Sequence, residues 1–117
     1  MLKNGFEKTQ EEILQERAEA LGRAGERLFA VLKELKEIEK IIDSKEAFIR
    51  SGDDGTERAV REINGEIDRY NRTREYAKLR YYYLIVIREA VGFRRHKQVE
   101  EIYGIPPQKR YMSNQGL

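Results

Sequence analysis

The side chains that could carry chemistry gather in one stretch. Residues 69–97 hold nine Arg or Lys, at 69, 72, 74, 78, 80, 88, 94, 95 and 97, against only Glu75 and Glu89. Tyrosines are threaded between them, and the single histidine, His96, stands at the end beside Arg94, Arg95 and Lys97. Basic side chains can track a phosphate backbone and aromatic rings can stack bases. Arg69, Arg72, Arg80, Arg94 and Lys97 fall within about 100° of arc on a regular helix. With Arg95 they are the candidate nucleic-acid contacts. Tyr76, Tyr83, Ile87 and Ala90 share that arc, however, and aliphatic residues interrupt a phosphate-tracking stripe. The favoured expectation is therefore different. The arginines flank a buried block and pair with Glu11, Glu12, Glu16, Glu19 and Glu26, across the chain or across a dimer.

Other chemistry finds little support. The sequence has no Cys, which removes disulfides, thiol nucleophiles and thiolate metal sites. One histidine would need several carboxylates around it to hold zinc, and the paired Glu-x-x-His signature of di-iron bundles is missing. Ser44, Ser51 and Ser113 have no histidine in a sensible context, and no glycine-rich loop precedes a helix to cradle phosphate. The expectation is a protein without catalytic activity, cofactor or metal, and with His96 as a solvated helix residue.

Such a basic segment needs an element to position it, and composition points to long helices. Charged residues make up 38% and hydrophobic ones 39%, with two Pro and no Trp. Residues 1–55 are net −3 and residues 56–117 net +5, so two halves laid side by side would suit each other. No apolar run approaches the roughly 20 residues of a membrane span, and the N-terminus has no signal-like apolar stretch. A soluble, cytoplasmic chain without membrane contact is expected.

Apolar residues then set the elements. Thr9 with Glu12 fits a capping box, with Asn4-Gly5-Phe6-Glu7 as a rival start. Leu14, Ala18, Leu21, Gly25, Leu28, Leu32, Leu35, Ile42 and Ile49 follow spacings of three and four, with Glu39 and Glu46 as misfits and Val31 and Ile38 on the flank. The first helix is placed at about 9–50. A turn at 51–56 follows, with Gly52 closing one helix and Asp54 with Glu57 capping the next. The second helix is placed at about 57–103, carried by Val60, Ile63, Ile67, Tyr70, Ala77, Tyr81, Leu84 and Val91, with Arg74 and Arg88 in skipped positions. The run 81–87 has strand propensity, but it lies in phase with this seam and no breaker adjoins it. It reads as helix. Gly104, Pro106 and Pro107 stop the helix. Residues 105–117 read as a polar tail, disordered or docked, and residues 1–104 as one helical-hairpin domain.

A short turn makes the helices antiparallel, with facing residue numbers summing to about 107 by hairpin geometry. Tyr81 and Leu84 then oppose Gly22 and Gly25, bulky residues against small ones. The apolar surface from Tyr76 to Phe93 wraps further round the helix than one partner can cover. Leu79, Tyr83, Val86, Ala90 and Phe93 point away from the seam and form a candidate oligomer interface, with the tail at Ile105, Tyr111 and Met112 as the rival cover. The predicted fold is all-α: a coiled-coil-like antiparallel hairpin that dimerises into a four-helix bundle. The predicted function is that of a self-associating adaptor, scaffold or small chaperone with a further, unidentified protein partner. A nucleic-acid-associated protein using the 69–97 face is the alternative.

Overall fold

In the computed structural model, residues 4–52 and 57–113 are described. Three helices follow one another: α1 spans Gly5–Arg50, α2 spans Glu57–Ala90 and α3 spans Lys97–Tyr103. The molecule is a rod, 77 × 22 × 17 Å. The all-α expectation holds, and residues 81–87 are helical.

The α1–α2 seam is the core. From α1 it buries Ala24, Leu28, Val31, Leu35, Ile38, Ile42 and Ile49, and from α2 Val60, Ile63, Ile67, Tyr70, Ala77 and Leu84. Spacings of three, four and seven keep each set on one stripe. Fully burying a Leu, Ile or Val contributes roughly 1.5–3 kcal/mol, so this stripe dominates stability. The two helices run in opposite directions along it. Lys45 meets Glu62 at 3.6 Å near the turn, and Ala24 shares a cleft with Tyr83 at the far end. Val31 and Ile38, expected on the flank, sit at the centre of the stripe. Leu32 is half-buried beside it.

The ends of the helices depart from expectation in three places. The first helix begins at Gly5, not Thr9. Asn4 caps it by accepting the Glu7 N–H at 2.8 Å, while the Thr9 hydroxyl donates to the Gly5 carbonyl at 2.9 Å. An Asn at the N-cap competes well with any later hydroxyl, and so the rival start prevails. The Asp54 capping box lies outside the described residues.

The second departure is larger. The helix expected to reach 103 stops at Ala90. Gly92, at φ +103°, turns the chain; its N–H reaches the Glu89 carbonyl at 3.0 Å, and the Phe93 N–H reaches that of Arg88 at 2.9 Å. That pair of bonds is a Schellman stop, and it needs the left-handed freedom of glycine. Arg88 then stacks over the Phe93 ring at 4.5 Å. Beyond this stop α3 folds back against α1 and buries Val99.

The third departure follows from the second. With α2 ended at Ala90, α1 overshoots it. Every residue from 4 to 19 is exposed, including Leu14 and Ala18 of the expected seam. This overhang is about 22 Å of helix.

The glycines facing the bulky run also differ from each other. A methyl at Gly25 would lie 3.7 Å from the Tyr103 hydroxyl, so the neighbour it makes room for comes from α3. Gly22 faces open space. Gly22→Ala should therefore raise stability by about 0.5–1 kcal/mol through helix propensity alone. Gly92→Ala should lower it by about 1 kcal/mol or more, because the left-handed turn is lost. Urea unfolding followed by circular dichroism should show the two shifts with opposite sign.

Candidate interaction surfaces

Two surfaces stand out once the side chains are placed. The first is the outer face of α2. Leu79, Tyr83 and Val86 are each 44–45% exposed and Tyr82 is 62% exposed, with Ala90 and Phe93 exposed further along. Arg80 lies among them. Its guanidinium sits 5.1 Å from the Tyr76 ring centre and 5.8 Å from that of Tyr83, and it donates to the Tyr76 hydroxyl at 2.9 Å. All five residues expected at an oligomer interface are thus outside the seam. Tyr81 and Leu84, expected inside it, are half-buried and buried.

The candidate nucleic-acid contacts are not brought together as one stripe. Arg69 pairs with Glu66 of its own helix at 3.2 Å. Arg80 is stacked on tyrosines. The Schellman stop then breaks the helical arc, so Arg94 and Arg95 stand in the connecting loop and Lys97 opens α3. Arg72 remains exposed on α2. His96 is half-buried, not solvated: its Nδ1 accepts from Arg88 Nε at 3.2 Å, and its Nε2 lies 3.8 Å from Glu89. Arg88 also donates to the Arg95 carbonyl at 3.2 Å. The histidine is one strut of the loop that holds α3.

The second surface is a groove beside the seam, and the tail lies in it. Residues 105–112 run antiparallel to α2. Asn71 donates through Nδ2 to the Lys109 carbonyl at 3.0 Å and accepts the Lys109 N–H through Oδ1 at 2.9 Å. Asn64 treats Met112 identically, donating to its carbonyl at 3.0 Å and accepting its N–H at 2.7 Å. Each side-chain amide thus satisfies both backbone groups of one tail residue. Arg74 Nε donates to the Pro106 carbonyl at 2.7 Å. The Tyr111 hydroxyl donates to the Asp68 carboxylate. Lys109 lies 4.8 Å over the Tyr70 ring and 3.4 Å from Glu39.

The spacing of the clamp is physical. Seven helical residues separate the two asparagines, about 10.5 Å. Three extended residues separate Lys109 from Met112, about 10 Å. An extended strand therefore meets one asparagine per two helical turns without strain. Three of the four misfits of the apolar pattern explain themselves here, while Glu46 pairs with Arg50 of its own helix at 3.9 Å. Glu39 and Arg74 hold the tail, and Arg88 holds the loop. Asn64 and Asn71 gave no signal of their own, although their heptad spacing could have supplied one. Above the tail, a cleft of about 570 Å³ opens between α1, α3 and Pro106, lined by Phe29, Leu32, Lys36 and Tyr103.

Among the described residues no group of three His, Cys, Asp or Glu side chains converges as a metal site would need, and no helix is long and apolar enough to cross a membrane. The chain matches no protein-family model, no curated protein and no solved structure.

Burial raises the ionisation of the Tyr70 hydroxyl above the ordinary tyrosine range, and Glu39 adds to the shift against the opposing Arg74. A group whose pKa is higher when folded stabilises the fold fully below its unfolded value. That contribution is lost as pH rises through the folded one. Stability should thus hold up to about pH 10 and fall above it. Tyr70→Phe keeps the ring under Lys109 and removes the hydroxyl. Thermal melts between pH 9 and 12 should show a shallower alkaline decline for this variant than for the parent chain.

Proposed function

We propose that this is a non-enzymatic helical protein that associates with itself and serves as an adaptor or scaffold, with small-chaperone activity within the same reading. The observation that carries it is the exposed apolar face of α2 at Leu79, Tyr82, Tyr83 and Val86. Contiguous exposed apolar patches of this kind mark interaction sites. The α1 overhang offers a match for it. Residues 5–19 carry five Glu against Lys8 and Arg17, with Ile13 and Leu14 exposed between them. The α2 face carries Arg72, with Lys78 paired to Glu75 and Arg80 stacked on Tyr76 and Tyr83. An acidic, partly apolar helix end from a second copy fits a basic, partly apolar helix face. A two-fold arrangement satisfies both faces at once and gives a four-helix bundle. A further protein partner would find the cleft under α3 still accessible.

Nucleic-acid binding is the competing reading. Against it, Arg69, Arg74, Arg80 and Arg88 already spend their guanidiniums on contacts within the chain. A nucleic-acid protein would show binding that weakens steeply with salt.

Val86→Glu places a carboxylate in the proposed interface with no compensating partner. Light scattering should give a mass above that of one chain for the parent protein, and a lower mass for this variant at equal helicity. A parent protein that stays at the mass of one chain at high micromolar concentration removes the self-association reading.

A further inference from the structure

The groove along α2 is built to read backbone. Asn64 and Asn71 address N–H and carbonyl groups rather than side chains. Around that frame, Tyr70 with Glu39 receives a cation and Asp68 receives a hydroxyl. These are the parts of a receptor for an extended strand, related in logic to recognition by strand addition. The strand that fits is known, because residues 105–112 occupy it.

That strand is held but not entombed. No residue from 104 to 113 is fully buried. Its hydrogen bonds are part-buried at Asn64, Asn71 and Arg74 and exposed at Tyr111, and a segment without a fully buried residue opens at less than the cost of global unfolding. Gly104 joins the strand to α3, and the turn at Gly92 joins α3 to α2. The same strand is present on every other copy of the chain, and a second copy's strand makes every contact that the chain's own strand makes. Reciprocal exchange therefore loses no contact and sacrifices only the entropy of bringing two chains together. Within one chain the tether keeps the strand at a high effective concentration, so exchange needs something else to hold two copies together. The α2 face supplies it.

We propose that the Asn64–Asn71 groove is an interchain site, which takes the 105–113 arm of a second copy by reciprocal exchange. This deepens the self-association reading and rests on it.

The absence of cysteine makes a clean test possible. Full-length Asp68→Cys and full-length Tyr111→Cys each carry one thiol, at positions that touch when an arm is docked. The two chains are mixed, allowed to equilibrate at high micromolar concentration and oxidised. The 68–111 heterodimer is separated from the two homodimers on a non-reducing gel. Arm exchange should make the heterodimer several-fold more abundant than either homodimer. Adding Asn71→Leu to the Asp68→Cys chain should remove that excess. Two results overturn the proposal. One is a heterodimer no more than about twice as abundant as either homodimer, the ratio that random pairing of equal amounts gives, which confines each arm to its own chain. The other is an excess that Asn71→Leu leaves intact, which means that face packing alone brings positions 68 and 111 together. Light scattering on the same samples separates the two readings. A mass above one chain with no excess heterodimer sinks the exchange and keeps self-association. The mass of one chain with no excess sinks both.

Discussion

The burial capacity of a two-helix seam governs this molecule. A helix can turn only one stripe toward one partner. Leu28, Leu35, Ile38 and Ile42 meet Ile63, Ile67, Tyr70 and Ala77 there, and all eight are essentially withdrawn from water. With this stripe satisfied, every other apolar side chain must find a different neighbour or stay wet. Val99 and Tyr103 find α1 by folding back. Ile105 and Met112 find the edge of the seam by running along it. Leu79, Tyr83 and Val86 are left with nearly half of their surface exposed. The docked tail and the exposed face are thus two consequences of one shortage.

Polar residues at seam positions look like defects in a heptad pattern, and here Glu39, Arg74 and Arg88 mark where the third layer attaches. Glu39 and Arg74 stand where an apolar residue would continue the stripe. Both reach sideways into the groove, one to Lys109 and the other to the Pro106 carbonyl. Arg88 does the same for the loop before α3. The cost of interrupting a seam is a lost apolar contact. The return is an anchor for a segment that has too few apolar residues to dock by burial alone.

The helices and their register were legible because periodicity over thirty residues outweighs the strand propensity of three successive tyrosines. Lys45 with Glu62, and Ala24 with Tyr83, fall on the facing sum near 107 that the turn predicts. The stop at Gly92 was not legible. Glycine inside a helical pattern can be tolerated, as Gly22, Gly25 and Gly65 are, or can end it, as Gly92 does, and the deciding bonds from Gly92 and Phe93 are backbone bonds with no sequence mark. Missing that stop hid the α1 overhang, placed Arg94, Arg95 and Lys97 on a helical arc they do not occupy, and gave Gly25 the wrong neighbour. The outward set of Leu79, Tyr83, Val86, Ala90 and Phe93 could be read from angles alone. What covers it could not.

The tail is the clearest case of order without a hydrophobic pattern. Residues 105–113 have no periodicity, because their partners read what every residue shares. An asparagine side chain ends in an amide with one acceptor and one donating nitrogen, as a peptide group does, so it can pair with both backbone groups of one residue. Aspartate lacks the donor, and leucine lacks both. Pro106 and Pro107 help in the opposite way: they remove two N–H groups that the groove would otherwise have to satisfy, and they hold the strand extended before it reaches Asn71. Recognition of this kind fixes direction and register through the spacing of the clamps, while the Lys109 and Tyr111 contacts add preference for sequence. A site that reads backbone from one helix face is indifferent to which chain the strand comes from, and for that reason the groove and the exposed α2 face enter the proposed assembly together.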